Sequence, residues 1–282
     1  MLFDADPRFR VAELARRWGV AVDRSVDTPT SVIAFGHHGA EAVVLKVVKE
    51  PGDEWRSGDV LQAFGGRGVV PLLEQVDGAV LLARIDPGTS LVEVVDRGDD
   101  AAATVILCDV IAAMSPRDPP AACPTARDWA QGFGRYTMSG DTRVPPNLVA
   151  LAQHRFLTLC DSQRDSRLLH GDLQHSNVLF DRDRGWVAID PKGVIGELEY
   201  EVGAALRNPV EFPDLVGDTV TLERRIATFV SRLGLDRRRA VGWGFAQAVL
   251  SAIWEVEDGH VLSATNPALI LATALRPLLD EP

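Results

Sequence analysis

The chain has little cysteine, and what it has is poorly placed for a metal. Cys108, Cys123 and Cys160 are odd in number, far apart and in no ligand spacing. Buried thiols in a reducing cytoplasm are the expected reading. No stretch approaches the roughly 20 apolar residues of a membrane span. The longest, Val241 to Ile253, is interrupted by Gly242, Gly244, Gln247 and Ser251, so no membrane partner is expected. The N-terminus, Met1-Leu2-Phe3-Asp4-Ala5-Asp6, has early acids and no apolar core and does not read as a signal peptide. Basic residues are in deficit: 29 Lys and Arg against 40 Asp and Glu give a formal net charge of −11. A nucleic-acid partner, which wants a basic face, is therefore not expected. An acidic surface suits a cationic substrate, but solubility alone explains it equally well, so charge decides nothing. No internal repeat or low-complexity segment is present.

What remains is an ordinary soluble composition, 46% apolar and 24% charged, over 282 residues. That length allows two lobes or one large α/β domain. Phe9, Val11, Leu14, Ala15 and Trp18 recur at helical spacing and predict an opening amphipathic helix from Pro7 to Trp18. Val20 to Val26, Ser31 to Phe35 and Ala42 to Val48 read as strands, the last two joined by the turn His37-His38-Gly39-Ala40. A helix over Asp53 to Phe64 ends at Gly65-Gly66-Arg67-Gly68. Val69 to Leu73 and Ala79 to Ile85 read as two more strands around an Asp77-Gly78 turn. The sum is a small antiparallel α+β lobe over residues 1–85. Asp86-Pro87-Gly88 breaks the pattern and marks a linker near residues 83–88. Residues 89–282 are mainly helical: Leu91 to Asp96, Ala101 to Met114, Thr125 to Gln131, Pro146 to Ser162, Thr219 to Leu233, Arg237 to Val256 and Ala268 to Leu275. The proline-rich stretch Pro116 to Pro124 is expected as a surface loop between helices.

One segment in this second half carries chemistry. His170-Gly171-Asp172-Leu173-Gln174-His175-Ser176-Asn177 is a polar loop, and Trp186-Val187-Ala188-Ile189-Asp190 is an apolar run closed by an acid. An Asp gains nothing at the end of an apolar strand unless something there needs its oxygens. Phosphoryl transfer from ATP needs this set: Asp172 to orient an attacking hydroxyl, Asn177 and Asp190 to hold Mg²⁺ on the phosphates. His170 is expected to order the loop through backbone hydrogen bonds, and His175 receives no role. A phosphate-binding half is found upstream. In Val43-Val44-Leu45-Lys46-Val47-Val48, alternation places Lys46 on a face with valines, where an ammonium either snorkels to water or meets an anion. Glu54, placed in the following helix, can aim a carboxylate at it; a solvated first-turn acid is the plainer alternative.

The same loop admits a transition-metal hydrolase, since His170, Asp172 and His175 resemble ligands. The other histidines, His37-His38, His154 and His260, form no second cluster, which weakens that reading. No G-x-G-x-x-G precedes Lys46; Thr28-Pro29-Thr30-Ser31 stands there, and the hydroxyls of Thr30 and Ser31 either touch phosphate or serve the turn. Glu197, Glu199 and Glu201 beyond Asp190, with Trp254, Glu255, Glu257 and Asp258 near the end of a late helix, suit a cationic, hydroxyl-rich acceptor; scattered surface acids are the alternative for each.

Lys46 with Asp53-Glu54-Trp55-Arg56, the run Gly65-Gly66-Arg67-Gly68-Val69-Val70-Pro71-Leu72-Leu73, the loop from His170 to Asn177, and Val187-Ala188-Ile189-Asp190-Pro191-Lys192-Gly193 together resemble the aminoglycoside phosphotransferase superfamily. The Gly-Gly-Arg-Gly and Asp-Pro-Lys-Gly pieces, with Leu250-Ser251-Ala252-Ile253-Trp254, resemble its streptomycin 6-phosphotransferase and hydroxyurea-resistance kinase branch. The resemblance implies an α+β, bilobal protein-kinase-like fold with ATP in the cleft and adenine against Ala83 to Ile85. It implies Mg²⁺ at Asn177 and Asp190, Asp172 as the catalytic Asp, and Lys46 paired with Glu54. It further implies transfer of the γ-phosphate to a hydroxyl of an aminocyclitol antibiotic or other small hydroxylated compound; a monomer is expected. Pro191-Lys192 replaces the Phe-Gly of protein kinases and no activation segment follows, so protein substrates are not expected. Gln174 and the Thr28 to Ser31 turn leave GTP open as a donor. A non-catalytic binding protein of the same fold is the competing reading, opposed by the presence of Lys46, Glu54, Asp172, Asn177 and Asp190 together.

Overall fold

Asp6 accepts a hydrogen bond from the Arg8 backbone N–H at 2.8 Å and Pro7 pre-sets the first turn, so the chain enters α1 (Pro7–Arg17) directly. A computed structural model describes residues 6–114, 118–263 and 265–280. Residues 1–5, and Pro116 and Arg117 of the proline-rich stretch, lie outside them. α1 lays Val11, Leu14 and Ala15 on a five-stranded antiparallel sheet formed by β1 (Val20–Asp27), β2 (Ser31–His38), β3 (Glu41–Val48), β4 (Leu72–Val76) and β5 (Ala79–Ala83), with α2 (Ser57–Phe64) between β3 and β4. The strand order is β1-β2-β3-β5-β4. Strand alternation does the positioning: Val43, Leu45 and Val47 are fully buried in the core beneath α1, while Val44 and Lys46 line a cavity on the opposite face.

Two of the predicted elements move. The helix expected from Asp53 begins at Ser57, because Gly78 N–H takes the Trp55 carbonyl at 2.8 Å and the preceding residues close as turns. Gly78, at φ 70°, allows this approach; a Cβ there would lie 2.5 Å from the Trp55 ring. Glu54 therefore stands in a turn rather than a helix. The strand expected at Val69 starts instead at Leu72, since Pro71 has no N–H to donate to a ladder. Val69 and Val70 reach down to the second half, where Val70 N–H donates to Ala188 O at 2.9 Å.

The chain crosses at Asp86–Pro87 and at once forms β6 (Pro87–Ser90). It continues through α3 (Val92–Asp96), α4 (Asp100–Met114), α5 (Ala126–Trp129), α6 (Gln131–Ser139) and α7 (Pro146–Asp161). Short strands follow: β7 (Arg167–Leu169), β8 (Val178–Asp181), β9 (Gly185–Ala188) and β10 (Val194–Gly196). Then come α8 (Leu198–Leu206), α9 (Pro213–Gly217), α10 (Thr219–Leu233), α11 (Arg237–Glu257) and α12 (Pro267–Leu275). β6-β8-β9 and β10-β7 make two small sheets. α11 is the hub: Trp243 and Phe245 are fully buried, and Trp243 meets Phe156 and Tyr200 edge-on at 4.9 and 5.0 Å between centroids. The architecture is α+β and two-lobed, an antiparallel sheet followed by a helical part. The three thiols are free, and burial pushes Cys108 up to about 12 and Cys123 and Cys160 up to about 11. No helix among the described residues is long and apolar enough to cross a membrane.

Candidate active site

β7 delivers the chain to His170, which lies between the loop and the strand that carries Asp190. Its Nε2–H donates to Ile189 O at 2.8 Å and its Nδ1 accepts from the Asp172 backbone N–H at 3.3 Å. Both nitrogens are thus used in the neutral form, and burial pushes the imidazole below its ordinary value. Glu201 of α8 holds the same loop from beneath, accepting the His170 and Gly171 backbone N–H groups at 2.6 and 3.0 Å. Burial raises its carboxyl to about 7 against those hydrogen bonds, which favour the charged form. A short 3₁₀ turn, His175–Asn177, then presents Asn177. Its Nδ2–H donates to Asp172 O at 2.9 Å, which fixes the amide and leaves Oδ1 for another partner.

The β8–β9 hairpin returns Asp190 to this loop, anchored by Ile189 N–H on Asn177 O at 2.9 Å. Asp190 adopts φ 57°, a left-handed conformation unusual for a non-glycine residue. Such backbone costs about 1–3 kcal/mol and persists where surrounding contacts hold it, commonly at functional sites. Its Oδ1 lies 2.8 Å from Lys46 Nζ, and Glu54 Oε2 lies 2.6 Å from the same ammonium. Burial alone would lower the Lys46 value; Asp190 and then Glu54 outweigh it and hold the ammonium above its ordinary value. The structure therefore brings Lys46, Glu54 and Asp190 together from three separate segments.

Lys46 and Asp190 open on a cavity of about 330 Å³ walled by Ile33, Val44, Leu82, Leu179 and Ile189, with Ala83 to Ile85 along one edge. Apolar faces on both sides suit a flat base, and Lys46 at the end suits its phosphates. Phe35 also lines it, with the Arg24 guanidinium 3.7 Å from the ring centroid. Thr30 and Ser31 do not line it, which corrects the expectation for them: Thr30 is exposed, and Ser31 is buried with its hydroxyl 3.1 Å from Thr28 Oγ1. The Thr28 and Ser31 hydroxyls serve the β1–β2 turn.

Asp172 faces a second cavity of about 350 Å³, with Gln174, Arg207, Glu211, Trp254 and Glu255 among its walls. Its Oδ1 lies 3.3 Å from Arg207 Nη2 and its Oδ2 3.6 Å from Lys192 Nζ. Burial opposes ionisation, but Lys192 and Arg207 together hold the carboxyl below its ordinary value, so Asp172 is charged at neutral pH. Trp254, Glu255 and Asp258 line this space, with Glu255 accepting from Asn266 Nδ2 at 2.6 Å. Glu257 turns away to Arg135 at 3.4 Å. The three glutamates after Asp190 are a correction. Glu197 is buried on Arg239 and Trp243 Nε1 at 2.7 and 2.5 Å, Glu199 accepts the Asp236 N–H at 3.0 Å, and Glu201 holds the loop. Their carboxylates are spent inside the helical part. Arg207 was not visible as a site residue: it meets Asp172 from 35 positions away, with no local pattern to mark it.

The hydrolase reading does not survive this geometry. Among the described residues no three His, Cys, Asp or Glu side chains converge on a metal position. His170 has both nitrogens occupied, and His175 is buried with its imidazole pushed down to about 3 by desolvation and Arg225. An Asn oxygen with one carboxylate is instead the hard, oxygen-only set suited to Mg²⁺ completed by phosphate oxygens.

Residues 17–259 match the family described as aminoglycoside/hydroxyurea antibiotic resistance kinase. The chain belongs to this family. Hydroxyurea phosphotransferase of Kitasatospora aureofaciens is 32% identical over 276 residues, spanning 89% of this chain and 74% of the relative. Streptomycin 3''-kinase of Klebsiella pneumoniae is 32% identical over 272 residues, spanning 94% and 99%. Streptomycin 6-kinase of Streptomyces glaucescens is 30% identical over 289 residues, spanning 94% and 88%. A thermostable mutant of aminoglycoside phosphotransferase APH(4)-Ia, solved with ADP and hygromycin B, superposes with a TM-score of 0.66 at 16% identity over 95% of this chain and 97% of that one. Choline kinase LicA of Streptococcus pneumoniae gives 0.61 at 14% identity over 96% and 98%. At such identity these two structures establish the kinase-like fold. As a member of the resistance-kinase family, the chain is a small-molecule phosphotransferase acting on hydroxyl groups.

Proposed function

We propose that this protein moves the γ-phosphoryl group of ATP to a hydroxyl of a streptomycin-like aminoglycoside or a related small, hydroxylated cation. The observation that carries the reading is Lys46, held at 2.6 Å by Glu54 and 2.8 Å by Asp190 at the end of an apolar cavity, with an ionised Asp172 facing a second cavity beside it. In this reading Lys46 binds the α- and β-phosphates, and Glu54 fixes its direction. Asn177 and Asp190 would hold Mg²⁺, which when bound neutralises charge on the phosphates. Asp172 accepts a hydrogen bond from the acceptor hydroxyl and aligns it; positioning outweighs base strength because the transition state is loose. The Ala83 to Ile85 edge receives the base. Glu211, Glu255 and Asp258 supply carboxylates, and Trp254 a ring face, for a polycationic acceptor. The lobe boundary falls at the crossing near residues 83–88.

A coupled ADP-release assay with streptomycin, other aminoglycosides, hydroxyurea and simple sugars tests this. Acceptor-dependent ADP release, abolished in Asp172→Ala, is expected. Absence of release with every hydroxyl acceptor contradicts it.

A further inference from the structure

Lys192 belongs to the Asp-Pro-Lys-Gly motif, and nothing in the reaction as described so far uses it. Its backbone is held tightly: Lys192 N–H and Gly193 N–H both donate to His170 O at 3.0 Å. Gly193, at φ 78°, packs where a Cβ would lie 2.5 Å from Val60 Cγ2, so the main chain cannot shift toward α2. The ammonium it carries is held loosely by comparison. Nζ lies 3.6 Å from Asp172 Oδ2, beyond hydrogen-bond distance, and the side chain lines both the Asp172 cavity and a neighbouring one beside Asp53 and Arg56.

Charge balance shows why a purely structural ion pair is a poor account of it. Asp172 already has Arg207 at 3.3 Å, a side chain 15% exposed. One buried carboxylate with one guanidinium is neutral; Lys192 adds a cation with no carboxylate of its own among the ion pairs seen. A partly buried surplus cation beside the carboxylate that meets the acceptor calls for an anion that arrives with substrate. The Lys46 cluster is built the other way, one cation against Glu54 and Asp190, as suits a place for a metal ion.

We infer that Lys192 is a catalytic residue that contacts the phosphoryl group in transit, while Arg207 is a positioning residue that keeps Asp172 in place. The inference rests on the kinase reading above. During transfer the bond from the γ-phosphorus to the ADP oxygen breaks and a bond to the acceptor oxygen forms. The hydroxyl proton leaves toward Asp172, and Lys192 keeps all its protons. Its ammonium offsets charge on the equatorial phosphoryl oxygens, a contribution made chiefly in the transition state.

The test uses the full chain and thermal unfolding with ADP and Mg²⁺, with and without aluminium fluoride as a mimic of the transferring phosphoryl group. Wild type is expected to gain an increment with fluoride beyond that with ADP. Lys192→Met should keep the ADP shift, which shows that it is folded, and lose the fluoride increment; Lys192→Arg should recover at least half of it. Turnover of Lys192→Met should fall about 10²-fold with KM for ATP within about threefold. An undiminished fluoride increment in Lys192→Met overturns the inference and leaves the kinase reading intact. A wild type that ignores ADP altogether overturns both.

Discussion

Two charge clusters sit two residues apart along the chain, at Asp190 and at Lys192, and they are composed in opposite proportion. Around Lys46 two carboxylates hold one ammonium at 2.6 and 2.8 Å; around Asp172 two cations hold one carboxylate at 3.3 and 3.6 Å. The first cluster is tight and lacks a positive charge, the second is looser and lacks a negative one. In the proposed reading a magnesium nucleotide would supply both, a divalent cation to the first and a phosphoryl group to the second. The difference teaches that the two clusters balance each other, three cations against three carboxylates, but neither balances alone, so each keeps a place for a partner of the opposite sign.

The comparison can be broken from either side. Asp172→Ala should have the largest effect, lowering turnover about 10³-fold, because it removes the hydroxyl's acceptor and leaves Lys192 and Arg207 unneutralised. Steady-state kinetics check it, and near-normal turnover would remove Asp172 from the mechanism. Lys46→Met should lower kcat/KM for ATP about 10²-fold while KM for the acceptor changes little; an acceptor-side defect instead would place Lys46 wrongly. Glu201→Gln should change turnover only a few-fold but alter pH behaviour. The folded carboxyl, raised to about 7, lies above its unfolded value, so the native state binds the proton more readily. That group's contribution therefore falls as pH rises from the unfolded value through about 7 and is flat above. Melting curves from pH 5 to pH 8 should show Glu201→Gln gaining on wild type, and a constant difference contradicts this. Thr30→Ala should be smallest, within about twofold in every kinetic constant, since its side chain is exposed and off the cavity wall. A large loss would restore the turn to the phosphate site.

How much of this was legible depends on whether the signal was local. Strand alternation placed Lys46 on the cavity face, and the spacing of Asp172, Asn177 and Asp190 marked the loop, because both patterns are written in consecutive residues. β7 and β10, three residues each, fall below the length at which alternation can be read. Glu54 was found as a partner but assigned to a helix, since nothing in Asp53 to Arg56 signals that Gly78 will take the Trp55 carbonyl. Glu197 and Glu201 look like cleft acids beside a metal strand. Only the packing of α8 against α11 and the loop shows that they hold Trp243, Arg239 and the His170 backbone. Arg207 required the full tertiary fold.

The most direct measurement is ADP affinity by calorimetry, with and without Mg²⁺, for wild type, Asp190→Asn and Asp172→Asn. If the Lys46 cluster holds nucleotide and metal while the Asp172 cluster serves the acceptor, Mg²⁺ tightens ADP binding in wild type and Asp172→Asn and fails to do so in Asp190→Asn. Equal loss of the Mg²⁺ effect in both variants, or in neither, contradicts the division of labour between the two clusters.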